Sequence, residues 1–140
     1  MRFHQGRLLD HVHLRVRDVE ASKGFYRAVL EAVGSGLTME GDGLFCADEL
    51  FVSDDREPSS GVHIAFQAAD RETVHRFHDA ALAAGGRDNG APGERHYHFG
   101  YYSAYALDPD GNNVEAVHHG PARRSAASVV IEALPPDATA

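Results

Sequence analysis

Residues 61–86, GVHIAFQAADRETVHRFHDAALAAGG, repeat a stretch that stands 52 positions earlier in the chain. From residue 62 onward they align without a gap on residues 10–34, DHVHLRVRDVEASKGFYRAVLEAVG. Of the 24 positions from 11 to 34, 8 are identical in the two copies. Repetition of this kind indicates that one supersecondary unit occurs twice. The identical positions in the first copy are those of His11, Asp18, Glu20, Phe25, Ala28, Leu30, Ala32 and Gly34.

Each copy has the pattern of a strand followed by a helix. In the first copy, Leu8–Val16 alternates between polar and apolar residues and is rich in β-branched side chains, which predicts a strand. Asp18 is a suitable N-cap for a helix that runs to about Ala32. The second copy repeats this order, with a strand at Val62–Ala68 and a helix that begins after Asp70 and ends before a Gly-Gly pair.

Further short strands are predicted after each helix. Leu44–Ala47 and Leu50–Ser53 are apolar runs between turn residues. After the second helix, the glycine-rich stretch Asp88–Arg95 is predicted to be a loop. Strands at about His98–Leu107 and Asn113–His118 then flank a DPDG turn. We interpret each copy as a strand–helix–strand–strand–strand unit, of which these are the clearest strands.

Length and composition favour one globular domain that spans residues 1–140. The two modules occupy about 8–55 and 61–119, and a tail follows at 120–140, in which Val129–Ile131 forms an apolar island. The net charge is −8, without a cluster of Lys or Arg, so we expect no nucleic-acid partner. A single cysteine and the lack of a signal-peptide or membrane-span pattern predict a cytoplasmic protein without a membrane partner.

The repeat brings out two histidines. His11 and His63 occupy the same position in the two copies, at the start of each first strand. If the copies are related by an approximate two-fold axis, the two imidazoles converge, and neutral imidazole is a good ligand for zinc, iron and nickel. The plainer interpretation is that each histidine is an ordinary hydrogen-bonded polar residue. His75 and His78, one helical turn apart, are predicted to lie on a solvated helix face.

Three blocks resemble the vicinal oxygen chelate superfamily, also called the glyoxalase, bleomycin-resistance and dioxygenase superfamily. They are DHVHLRVRDVEASKGFYRAVL, VHIAF and LDPDGNNVEAV, which occur in the expected order within residues 8–119. The resemblance implies an α+β fold in which two tandem βαβββ modules form a curved, half-open mixed β-barrel around a metal site. It also implies a homodimer, to which the tail island could contribute.

The resemblance implies a set of three metal ligands: His11, His63 and Glu115. Two histidines and one carboxylate leave open positions at which a substrate can bind through two adjacent oxygens. One divalent ion is therefore expected, with Fe, Mn, Ni, Zn and Co as candidates. The fourth protein ligand of glyoxalases would fall on Leu50, Phe51 or Val52, none of which binds a metal.

A second cluster precedes the DPDG turn. His98 and Tyr105 partly match the signature of extradiol ring-cleavage dioxygenases, in which a His and a Tyr assist the chemistry beside Fe(II). They are the candidate catalytic residues. His13, on the same strand face as His11, and Tyr101 are the candidate residues of the substrate pocket.

Three hypotheses for the function follow from the resemblance. The first is a metal-dependent lyase or isomerase of glyoxalase type, which acts through a metal-stabilised enolate of a small, oxygen-chelating substrate. The second is an Fe(II) extradiol-type dioxygenase. The third is a metal-free protein that sequesters a drug or metabolite, as bleomycin-resistance proteins do. A thiol transferase of fosfomycin type is disfavoured, because we find no basic cluster for a phosphonate.

Overall fold

A computed structural model describes residues 2–5, 9–121 and 129–132, with side chains for 9–121. The chain begins with strand β1 (Arg2–Gln5), which pairs antiparallel with the last strand, β10 (Val129–Glu132). The apolar island of the tail thus lies in β10, while the rest of the tail after residue 121 is outside the described residues. No helix in the described ranges is long and apolar enough to cross a membrane.

Module one has the predicted order of elements. One helix and four strands form it, and the strands make a mixed sheet in the order β2-β5-β4-β3, in which β2 and β5 are parallel. The first strand is shorter than predicted, and the predicted start at Leu8 is outside the described residues. The elements are β2 (Val12–Arg15), α1 (Val19–Ala32), β3 (Met39–Gly41), β4 (Leu44–Ala47) and β5 (Leu50–Ser53).

Module two repeats this arrangement. Its sheet has the order β6-β9-β8-β7, again with the first and last strands of the module parallel. The α+β class and the doubled βαβββ order are therefore confirmed. No strand of one sheet pairs with a strand of the other in the part of the chain that the structure describes. The elements are β6 (His63–Gln67), α2 (Arg71–Ala83), β7 (Arg87–Glu94), β8 (Tyr102–Leu107) and β9 (Asn113–His118).

Both helices begin where the sequence predicts, because an aspartate caps each of them. The carboxylate of Asp18 accepts hydrogen bonds from the backbone N–H groups of Glu20 and Ala21. Asp70 accepts one from the N–H of Thr73 at 2.7 Å. These bonds satisfy backbone donors that have no partner within the helix.

One hydrophobic core joins the two modules. Phe25 and Val29 of α1, Phe77 of α2, and the helix-facing residues of both sheets belong to a single buried cluster. A polar contact reinforces this junction, since the buried hydroxyl of Tyr26 donates to Asp108 Oδ2 at 2.7 Å. Asp108 opens the DPDG turn, and its other oxygen accepts from the backbone N–H groups of residues 110 and 112. Module one is thus tied to the turn that leads into β9.

Two predictions about the second module were wrong. Asp88–Arg95 is mostly strand β7 and not a loop, because its glycines allow a strand to pass close to bulky side chains of β8. The pairing of β7 with β8 shifts register at Gly90 and Gly93, so the pattern does not alternate as an ordinary strand does. His78 is buried rather than solvated, since Asp88 of β7 bonds its Nε2 at 2.9 Å.

Candidate metal centre

The candidate site lies on the sheet of module two, on the side away from α2. Glu115 of β9 stands opposite Ala65 of β6 and opposite Tyr105 of β8. Residues opposite each other in neighbouring strands point to the same side of a sheet, and every second residue along a strand does so too. His63, Glu115 and Tyr105 therefore share one side, which we call the open face of module two.

Glu115 is the centre of a short hydrogen-bond network on this face. Its Oε2 lies 2.9 Å from Nε2 of His63, and its Oε1 accepts a hydrogen bond from the hydroxyl of Tyr101 at 2.6 Å. Both carboxylate oxygens therefore have a partner. The strands bring together three residues that lie 14 to 52 positions apart in the chain.

The carboxylate is buried although the face is open. The side chain of Glu115 is 3% exposed, whereas that of His63 is 52% exposed. A buried carboxylate is costly unless it is hydrogen-bonded or binds a cation, which explains why two donors surround it. Burial and the bond to Glu115 raise the pKa of Tyr101, so this phenol stays protonated and remains a donor.

The pair His63 and Glu115 fits the requirements of a divalent metal ion. Two ligands about 2.1 Å from one ion and at right angles to each other are about 3 Å apart. The observed separation of 2.9 Å between Nε2 and Oε2 is a hydrogen-bond distance, and it is also close to this spacing. An imidazole nitrogen and a carboxylate oxygen also suit iron, manganese, nickel, cobalt and zinc. Tyr101 would donate its hydrogen bond to the carboxylate oxygen that does not bind the ion, and residues that hydrogen-bond a metal ligand commonly orient it in this way.

The third predicted ligand, His11, does not join this pair within one chain. It lies just before β2, its side chain is 61% exposed, and its Nδ1 contacts Asp10 at 2.7 Å. Within the described ranges, no three His, Cys, Asp or Glu side chains are grouped so that they could hold one ion. The set of His11, His63 and Glu115 therefore stays a prediction.

The two candidate catalytic residues lie at different distances from the pair. The ring of Tyr105 is 6.1 Å from that of His63 and meets it edge-on. His98 precedes β8 rather than lying in it, and its Nε2 is 2.9 Å from Nδ1 of His119. Both of these histidines touch the ring of Tyr101, so His98 reaches Glu115 only through this tyrosine.

His13 belongs to a separate polar cluster on the sheet of module one. Its Nε2 lies 2.8 Å from Oγ of Ser53, and the Ser53 hydroxyl donates to Asp55 at 2.6 Å. Burial, together with the charge of Arg15, lowers the pKa of His13, so its neutral form is favoured. Of the two predicted pocket residues, only Tyr101 contacts Glu115.

A pocket of about 480 Å³ lies between module one and β6. Strand β6 contributes His63, Ile64 and Phe66, and module one contributes Leu30 and Leu50. The volume falls within the range of small-molecule sites, and most of these side chains are apolar. His63 is thus shared between the pocket and the pair with Glu115.

Arg95 is a residue of this face that the sequence patterns did not single out. Its guanidinium carbon lies 5.3 Å from the centre of the Tyr105 ring, so it belongs to the open face of module two. The sequence signal for this region was the pair Gly90 and Gly93 just before Arg95. We interpreted the glycine-rich stretch that contains them as a loop.

Comparisons with known proteins agree with this fold. The sequence model of the Glyoxalase/Bleomycin resistance protein/Dioxygenase superfamily matches residues 8–116. A glyoxalase/bleomycin resistance protein from Albidiferax ferrireducens T118 is 30% identical, with a TM-score of 0.67 over 79% of this chain and 98% of that one. No curated protein matches the chain significantly in sequence.

More distant structures share the fold alone. A lactoylglutathione lyase from Agrobacterium tumefaciens is 24% identical, with a TM-score of 0.58 over 81% of this chain and 94% of that one. The oxidase ChaP-H2 is 20% identical, with a TM-score of 0.57 over the same shares of the two chains. Together with the doubled βαβββ unit, the family match shows that this chain belongs to the glyoxalase, bleomycin-resistance and dioxygenase superfamily.

Proposed function

We propose that the protein is a divalent-metal-dependent enzyme that acts on a small substrate through two adjacent oxygens, with lyase or isomerase chemistry of glyoxalase type. The observation that carries the proposal is the pair His63 and Glu115, whose ligand atoms are 2.9 Å apart on an open face. The Glu115 side chain is 3% exposed, and an imidazole lies beside it, so the pair offers a carboxylate and a nitrogen ligand at one point of the face. We further propose that the protein works in the cytoplasm.

His11 of a second copy would complete the ligand set in a homodimer. His11 is exposed, which leaves it available to another subunit. Strands β2 and β6 each pair with only one strand among the described residues, so each sheet has an edge that a second copy could cover. Such a dimer would bring a module-one sheet beside the open face of module two.

The residues of the chain have separate tasks in this proposal. His63 and Glu115 would hold the ion, which would supply Lewis acidity to the substrate oxygens. Tyr101 keeps Glu115 oriented through the bond to Oε1. Tyr105, beside His63, would contact the substrate.

A second candidate is an Fe(II) dioxygenase of extradiol type. The position of Tyr105 favours it, since a phenol beside a histidine ligand is what the partial signature of those enzymes requires. Burial and the charge of Glu115 raise the pKa of Tyr105, so its hydroxyl stays a proton donor near the pair.

Loading the protein with single metals separates the candidates. Purified protein would be stripped with a chelator, reloaded with Fe²⁺, Mn²⁺, Co²⁺, Ni²⁺ or Zn²⁺, and assayed with catechols for oxygen uptake and with thiol adducts of α-ketoaldehydes for isomerisation. We expect isomerisation with several ions. Oxygen uptake with Fe²⁺ alone would select the dioxygenase. No binding of any ion would remove both and leave a metal-free binding protein.

Mixing two inactive variants tests the dimer. His11→Ala and Glu115→Ala subunits each lack one ligand, but a mixed dimer keeps one complete site. We expect the mixture to regain a substantial part of the wild-type metal binding, whereas each variant alone does not. No recovery, in a mixture shown to exchange subunits, would contradict the proposal that His11 comes from a second copy.

A further inference from the structure

Strand β7 contains two glycines, Gly90 and Gly93, that lie close to side chains of the open face of module two. A Cβ atom at Gly90 would lie 2.8 Å from Cδ2 of Tyr105, and Gly90 has a φ of 151°, which favours glycine. A Cβ atom at Gly93 would lie 3.1 Å from Nη1 of Arg95. The absence of side chains at these two glycines thus makes room for the side chains of Tyr105 and Arg95.

Arg95 is held firmly at one end of its guanidinium group. Nη2 donates to the carbonyl oxygen of Ala91 at 2.7 Å and to that of Ser103 at 3.2 Å. The planar group also lies over the Tyr105 ring, where a cation is attracted to the π electrons. Nε and Nη1 have no hydrogen-bond acceptor among the described residues. The group is therefore oriented but still has donors to offer.

The charge of Arg95 is also not neutralised. Eight arginines have described side chains, and six of them form an ion pair with a carboxylate. The two exceptions are Arg87 and Arg95. In a chain with a net charge of −8, carboxylates are plentiful, so a half-buried guanidinium that has none beside it is unusual. An oriented cation with free donors is suited to an anionic ligand.

We propose that Arg95 binds a carboxylate of the substrate, at the end opposite the oxygens that reach His63 and Glu115. This rests on the proposed function for the position of those oxygens. Glu115, Tyr105 and Gly90 follow one another across three neighbouring strands, so the two ends are separated by about two strand spacings, or about 10 Å. The substrate class is a small acid with a chelating head and a carboxylate a few carbon atoms away.

A monoanion fits this position better than a phosphate group. Arg95 offers one positive charge and a planar pair of donors, which match one carboxylate. The aromatic ring of Tyr105 would support the carbon chain between the two ends.

Two matched probes test the proposal: 2-oxoglutarate, which has a chelating head and a distal carboxylate, and its 5-methyl ester, which lacks the distal charge. Their affinities for the Mn²⁺-loaded protein would be measured by calorimetry. We expect the wild type to prefer the diacid by about 10- to 100-fold. Arg95→Gln should remove this preference and leave the affinity for the ester unchanged. Arg95→Lys should keep part of it, because the charge remains while the planar fork is lost.

Arg87→Gln is the matched control, since Arg87 is the other described arginine without an ion pair and begins β7, the strand that Arg95 directly follows. It should retain the preference. Equal affinities of the wild type for the two probes, including no measurable binding of either, would overturn the proposal. A preference that survives Arg95→Gln would overturn it too, as would Arg95-dependent binding of inorganic phosphate that is tighter than that of the diacid.

Repeating the titration with EDTA separates this proposal from the proposed function. If Mn²⁺ does not change the affinity of either probe, the metal-dependent function fails. An Arg95-dependent preference for the diacid that persists in EDTA would still support the carboxylate site. Thermal unfolding of each variant would show that the mutant proteins remain folded.

Discussion

The two modules share a backbone plan but carry different chemistry on their sheets. In the repeat, His13 aligns with Ala65. The residue opposite His13 in the parallel partner strand is Phe51, and the residue opposite Ala65 is Glu115. Phe51 is therefore the counterpart of Glu115. Across the next strand, Cys46 stands where module two has Tyr105. Module one thus lacks both the carboxylate and the phenol of the candidate site.

Module one has its own polar cluster, displaced along the strands. His13 bonds Ser53, which lies two residues beyond the opposite position, just as His63 bonds Glu115 two residues beyond its own. The same diagonal contact therefore occurs in both sheets, but in module one it ends on a serine hydroxyl. The comparison shows that both copies keep the same backbone plan, while single side chains set the chemistry on each sheet.

The largest expected effect comes from removing the carboxylate of module two. Glu115→Gln should lower the affinity for Mn²⁺ by more than about 100-fold. Even a residue that only hydrogen-bonds a metal ligand commonly contributes about 10- to 100-fold to metal affinity. Ser53→Ala removes the corresponding bond of module one and should leave the affinity unchanged. Titration of both variants with Mn²⁺ measures the difference. Equal effects would show that the two sheets do not differ in metal binding.

A smaller effect is expected from Tyr101, which only orients Glu115. Tyr101→Phe should weaken Mn²⁺ binding by about tenfold, because one carboxylate oxygen loses its donor. Tyr102→Phe is the control, since its hydroxyl bonds His75 of α2 rather than Glu115. The same titration applies, and an unchanged affinity in Tyr101→Phe would contradict a role for this bond in the site.

The helices offer a comparison in stability. Tyr26 of α1 and His78 of α2 are equivalent in the repeat, and each is a buried polar residue bonded to an aspartate of module two. Tyr26→Phe should reduce the free energy of unfolding by about 1–3 kcal/mol, because Asp108 is buried and loses a donor. Denaturant titration measures it. A change below about 0.5 kcal/mol would show that the bond between the modules contributes little.

The smallest effect concerns acid stability. The N–H of Gly90, together with His78, holds the pKa of Asp88 below its usual value. Its stabilising contribution is therefore present above the unfolded pKa of about 3.9 and is lost as the pH falls through the lower folded value. In Asp88→Asn, the free energy of unfolding should fall less steeply between about pH 4 and pH 2 than in the wild type.

Asp79→Asn is the control for this pH dependence, because Asp79 is an exposed carboxylate of α2. Its unfolding should follow the wild-type curve. Denaturant titrations at several pH values would compare the three proteins. An Asp88→Asn curve that is as steep as that of the wild type would contradict the stabilising role of this carboxylate.

The sequence predicted most of the fold, because local signals determine it. The caps Asp18 and Asp70, the strands Leu50–Ser53 and Asn113–His118, and the DPDG turn depend on neighbouring residues and occur where predicted. Strand β7 was missed because its glycines serve a contact with Tyr105, which is far away in the sequence. Such a contact leaves no local pattern.

The candidate site was predicted only in part for the same reason. The repeat and the family resemblance identified His63 and Glu115, which the parallel strands bring together. They could not show that Tyr101 bonds Glu115 or that His98 instead bonds His119, since both contacts depend on where β8 begins. The partners that we propose for His11 lie on a neighbouring subunit, which the sequence of one chain does not describe.

The most direct test of the central claim is the metal content of protein purified without chelators, measured by elemental analysis. The wild type would be compared with the double variant His63→Ala/Glu115→Ala, and with His13→Ala/Ser53→Ala as the matched change in module one. We predict close to one divalent ion per chain in the wild type and in the module-one variant, and almost none in the module-two variant. Equal metal content in all three proteins, or none in any of them even after reconstitution, would contradict the account.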